Sequence, residues 1–66
     1  MNIKMNGEAR SVPDGSTVQF LLAELALEPQ SVVVERNGDI LARDAFGDCI
    51  LVEGDALDVL RFVGGG

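Results

Sequence analysis

One segment of this chain, Val18 to Leu25, carries apolar residues at helical spacing, and the segments before and after it alternate instead. Val18, Leu21, Leu22 and Leu25 fall at i, i+3, i+4 and i+7, a single apolar stripe. Ser16 with Gln19 fits a capping box at its start, with Thr17 as the alternative cap, and Pro29 is expected to stop it. Phe20 lies off the stripe, and its placement is left open between exposure and cover by a loop. A lone helix needs a surface to cover, and the rest of the chain must supply it.

That surface reads as a sheet. Met1, Ile3 and Met5 alternate with Asn2, Lys4 and Asn6, the period of a half-buried strand. Asn6-Gly7 is a hairpin signal, and Glu8 to Val12 reads as the returning strand before Pro13-Asp14-Gly15 breaks it. Ser31 to Arg36 is rich in β-branched residues, with Val32 and Val34 on one face. A second Asn-Gly pair, Asn37-Gly38, precedes a short edge segment from Asp39 to Arg43. Asp44 to Gly47 looks like a single turn that drops Phe46 into the core, and Glu53-Gly54-Asp55 is a further turn. Leu57 to Val63 is expected to be the last strand, Leu57 and Val59 facing the core, Asp58, Leu60 and Phe62 facing away. The economical arrangement is an α+β fold: one helix packed across a mixed sheet of four or five strands, the last strand beside the first. One domain over residues 1–63 and a flexible glycine tail over 64–66 account for the chain.

The chemistry on offer is sparse. The 66 residues include no His and a single Cys, so a disulfide within the chain and a Cys/His metal site are excluded, and there is no imidazole base. Cys49, beside Ile50 and Leu51, reads as a small buried hydrophobe. The acid pairs Asp44/Asp48 and Glu53/Asp55 read as solvated turn residues and not as catalytic dyads. A net charge of −6 argues against nucleic acid and anionic membrane as partners; steering of a basic protein partner and an acidic surface that merely keeps the protein soluble are equal readings of it. No targeting segment or membrane span is visible and the lone Cys fits a reducing compartment, so a cytoplasmic location is expected.

The end of the sequence stands apart. Gly64-Gly65-Gly66 lacks the Lys and the following helix of a phosphate loop. Without side chains such a segment can pass through a channel that a Cβ would block, leaving the carboxylate of Gly66 sterically open. A free carboxylate is a poor electrophile and needs activation by another enzyme, for instance as an acyl-adenylate, before it accepts a group. On these residues alone a group carrier and a plain disordered tail remain equal readings. Leu60 and Phe62, two apolar residues on the solvent face just before the tail, are candidates for partner docking.

Thr17-Val18 with Leu21-Leu22, Asn37 after the valine run, Arg43 three residues before Phe46, Gly54-Asp55 and the Gly65-Gly66 end occur together in this order. In that combination the chain resembles the thiamine-biosynthesis sulfur carrier proteins over essentially its whole length. The resemblance implies the β-grasp fold of ubiquitin. It implies that an adenylating enzyme of the ubiquitin-activating type uses ATP on the Gly66 carboxylate. A sulfur donor with a cysteine persulfide then replaces AMP, and the thiocarboxylate delivers sulfur to thiazole synthase. The protein would be a co-substrate and not an enzyme, with no cofactor of its own. Gly65 and Gly66 carry over as functional positions, and Gly64 matches a Gly-rich variant of the terminus. Small subunits of molybdopterin synthase share the fold and the Gly-Gly end but tend to carry a Pro-Pro pair before the tail, where this chain has Arg61-Phe62-Val63. Carriers for other thio-metabolites, and a non-covalent interaction module with an inert tail, are the remaining alternatives.

Overall fold

The computed structural model describes residues 1–62. Two hairpins and a helix build it. Strands β1 (Asn2–Met5) and β2 (Glu8–Ser11) pair antiparallel, with Met5 opposite Glu8 and Ile3 opposite Arg10. The turn between them needs two residues in the left-handed region, and Asn6 and Gly7 supply them at φ 52° and 83°. Asn37 and Gly38 repeat the device at φ 52° and 90°, joining β3 (Val32–Arg36) to β4 (Asp39–Leu41).

The last strand, β5 (Ala56–Arg61), enters between the hairpins, parallel to β1 and antiparallel to β3. Among the described residues the sheet has five strands in the order β2-β1-β5-β3-β4. The strand that leads to the glycine tail is therefore the central one. Val63, expected at the end of this strand, and the tail Gly64, Gly65 and Gly66 lie outside the described residues.

The helix α1 spans Val18–Glu24 and buries Val18, Leu21 and Leu22 against Ile3, Val32, Val34, Leu57 and Val59 on one face of the sheet. Phe46, Cys49, Leu51 and Val12 complete the core, and Phe46 enters it from a 3-10 turn at Arg43–Ala45. The Arg43 guanidinium ties this turn to the Pro29 carbonyl at 2.9 Å.

The ends of the helix correct two expectations. The cap is Thr17, whose hydroxyl accepts the Phe20 amide at 3.0 Å, and not Ser16. Ser16 is buried and donates to the Pro13 carbonyl at 2.6 Å, closing the preceding turn. The helix also stops before Pro29 is reached. Ala26 takes a left-handed φ of 56°, its amide bonds the Ala23 carbonyl, and the Leu27 amide bonds the Leu22 carbonyl. That pair of bonds is a Schellman stop built on Ala in place of the usual Gly. Pro29 instead opens a 3-10 turn, Pro29–Ser31, that leads into β3. Phe20 is 41% exposed, on the first turn of the helix.

Candidate functional site

Because β5 is central, the chain beyond it starts from the best-held strand of the sheet. On the β3 side the ladder continues past the strand: the Phe62 amide donates to the Ser31 carbonyl at 3.1 Å. On the β1 side the backbone pairing ends when β1 turns at Asn6. The Asn6 side chain takes over, accepting from the Val59 amide at 2.8 Å and donating to the Val59 carbonyl at 3.3 Å. A side-chain amide thus stands in for one more residue of β1. The strand is thus held as far as Val59 on the β1 side and as far as Phe62 on the β3 side.

The start of β5 is fixed by a buried carboxylate. Asp55 is 4% exposed, so its reading as a solvated turn acid is overturned. Its Oδ2 accepts from the Val52 amide at 2.9 Å and from Nε and Nη2 of Arg36 at 3.2 and 3.0 Å; its Oδ1 accepts from Asn37 Nδ2 at 3.1 Å. Burial by itself raises the pKa of this carboxyl. The Val52 amide, the Asn37 side chain and the Arg36 guanidinium outweigh that effect and hold it below its ordinary value. Asn37 in turn accepts the Ala56 amide at 2.9 Å. Asn37, Gly54 and Asp55, which entered the sequence reading only as markers of a resemblance, are the joint that locks β5 to the β3–β4 turn. Glu53 remains exposed and accepts the Asn2 amide at 2.8 Å.

The alternation along β5 places Leu57 and Val59 in the core and leaves Leu60 60% and Phe62 45% exposed on the face away from α1. Val33, opposite Leu60, and Ile40 on β4, 73% exposed, share that face. Sequence reasoning missed these last two, because the register that sets Val33 beside Leu60 depends on a strand pairing across more than twenty residues, and Ile40 joins the face only through β3.

Little else here could do chemistry. Cys49 is buried, as its apolar neighbours implied. Among the described residues no three His, Cys, Asp or Glu side chains cluster to hold a metal ion, and no helix is long and apolar enough to cross a membrane. What the geometry offers is a central strand whose outer face ends in Leu60 and Phe62, shortly before three glycines in the sequence.

The ThiS family model matches residues 3–66, so the match runs through the terminal glycines. The chain belongs to the ThiS family. It is 35% identical over 65 residues to the sulfur carrier protein ThiS of Bacillus subtilis, covering 97% of this chain and 98% of that one. The crystal structure of the thiamine biosynthesis protein ThiS from Geobacter metallireducens superposes with a TM-score of 0.84 at 38% identity, over 100% of both chains. These neighbours bear out the β-grasp expectation. The chain is also 39% identical over 66 residues to a thiazole synthase of Magnetococcus marinus, but spans only 20% of that protein's length. Membership in ThiS, together with the missing Pro-Pro pair, sets the chain apart from the molybdopterin synthase alternative.

Proposed function

We propose that this protein is the sulfur carrier of thiamine biosynthesis, with the Gly66 carboxylate as its working group and Gly64 and Gly65 as the slender approach to it. The observation that carries this reading is the ThiS match, which extends to residue 66 and so includes the glycines that follow β5. An adenylating enzyme of the ubiquitin-activating type joins the AMP of ATP to the Gly66 carboxylate and releases pyrophosphate. The outer sulfur of a cysteine persulfide on a donor protein displaces AMP to give an acyl persulfide; a thiol then attacks the donor's sulfur, is oxidised to a disulfide with it, and releases the thiocarboxylate, which passes its sulfur to thiazole synthase. A thiazole synthase that contains a stretch similar to this whole chain supports that last pairing. The protein binds no cofactor itself, catalyses nothing alone, and works in the cytoplasm, where ATP and the donor are found. Leu60 and Phe62 belong to the face on which the adenylating enzyme docks.

The test alters the end of the chain alone. One added residue moves the carboxyl carbon by about 3.5 Å along an extended tail, and a displacement of ~1 Å can cost a hundredfold where geometry is demanding. Three proteins suffice: one extended by Ala, one lacking Gly66, and one amidated at its C-terminus. Each should melt with the parent and fail to support exchange of pyrophosphate into ATP by the adenylating enzyme. The amidated protein is the sharpest, since it keeps length and shape and removes only the acid. Adenylation of that protein at its C-terminus would discard the carrier reading and leave an interaction module with an inert tail. On the docking face, Phe62→Asp should leave the fold intact and sharply weaken adenylation.

A further inference from the structure

The sheet face turned away from α1 holds two carboxylates side by side. Asp58 on β5 is directly opposite Glu35 on β3, and Ile40 on β4 flanks Glu35 on its other side. Opposed residues on neighbouring strands have Cβ atoms about 5 Å apart, and like charges so placed destabilise the sheet. A cation nearby would remove that penalty. The chain has five basic residues, and among the described ion pairs none joins either carboxylate. Arg36 is committed to Asp55 and Arg43 to the Pro29 carbonyl. Arg10 and Arg61 stand opposite Ile3 and Val32, residues of the helix-covered face. Lys4 shares the open face but sits opposite Ala56, and it forms no ion pair with either carboxylate. The rung thus sets two like charges side by side, with neither carboxylate in an ion pair among the described residues. It borders the apolar strip of Leu60, Val33 and Ile40, so whatever covers the strip must also meet the carboxylates.

We propose that Glu35 and Asp58 together receive one arginine of the adenylating enzyme, whose surrounding apolar surface covers Leu60, Val33 and Ile40. This rests on the sulfur-carrier reading and adds the chemistry of the partner surface. A guanidinium has five donors in a planar fork and can bond both carboxylates at once, which a compact ammonium does less well. The rung acts as a specificity element: an apolar surface lacking the cation would have to bury two like charges against itself, and is rejected.

The experiment compares Glu35→Gln/Asp58→Asn with Asp44→Asn/Asp48→Asn, which removes the same two charges from an exposed turn elsewhere. Thermal melts are recorded on the free proteins. Pyrophosphate exchange by the adenylating enzyme is followed against carrier concentration at low and high salt. The rung variant should melt about 2–5 °C above the parent, because repulsion is gone. Its KM for the carrier should rise at least ~10-fold with kcat near the parent value, and the salt dependence of KM should largely vanish. The turn variant should stay within about twofold of the parent in KM. A rung variant whose KM is within about twofold of the parent, or shifts no more than the turn variant, overturns the proposal and leaves the carrier reading standing. If the rung variant melts below the parent, the single Asp58→Asn, at the more exposed position, is judged by the same KM criterion. A parent that is never adenylated refutes the carrier reading, and this inference falls with it.

Discussion

Replacing Asp55 by Asn keeps shape and volume and removes one acceptor and the charge. The substituted amide can turn either way. With its NH2 at the Oδ2 position it would face the Val52 amide and both Arg36 donors; at the Oδ1 position it faces only Asn37 Nδ2. The second orientation is the less costly. It leaves the Asn37 amide nitrogen opposite another donor and turns the charge-assisted bonds from Arg36 into ordinary ones. A hydrogen bond to a charged group contributes about 1.5–3 kcal/mol against about 0.5–1.5 for a neutral one, and an unmatched donor costs about 1–3. Since Arg36 and Asn37 are partly open to water, a total near 2–4 kcal/mol follows. At about 0.05–0.15 kcal/mol per residue a 66-residue domain has only about 3–10 kcal/mol in all. The variant should melt about 10–25 °C below the parent at pH 7. The pH dependence adds a second check. The folded-state pKa of Asp55 lies below its ordinary value of 3.8, so its contribution is fully present above that value and is lost as pH falls through the folded-state pKa. The gap between parent and variant should be constant from about pH 7 to 5 and narrow below about pH 4. Urea unfolding at a series of pH values measures both. A loss under ~1 kcal/mol at pH 7, or a gap unchanged in acid, would refute the view that this buried carboxylate locks β5 in place.

Ala26→Gly should stabilise the protein by about 1 kcal/mol, because Ala holds a left-handed φ of 56° at the helix stop; an unchanged urea midpoint would count against the Schellman assignment. Cys49→Ser should cost about 1–3 kcal/mol by burying a hydroxyl, yet the folded variant should still form thiocarboxylate; loss of sulfur transfer in a folded variant would show the thiol to be a participant.

The sequence by itself determined the elements whose signals are local. Two Asn-Gly pairs mark hairpin turns because only a few residue types accept the left-handed region, and the stripe Val18, Leu21, Leu22 marks the buried face of the helix because helical spacing admits no other choice. Alternation along β5 likewise separated Leu57 and Val59 from Leu60 and Phe62 before any strand partner was known. The terminal glycines, and the resemblance built around them, pointed to the carrier. The tertiary structure decided what depends on partners distant in the chain. The helix stop at Ala26 is local but carries no Gly or Asn to mark it, so it too emerged only with the folded backbone. The fold buried Asp55, a residue that composition alone assigns to solvent, because donors from Arg36, Asn37 and Val52 converge on it. It used Asn6 as a substitute strand for Val59, and it set Asp58 against Glu35 and Val33 against Leu60. The contacts of Asp55 with Arg36 and Asn37, of Asn6 with Val59, of Asp58 with Glu35 and of Val33 with Leu60 could not be read from the chain, since each joins segments distant in sequence whose register is set by the whole sheet.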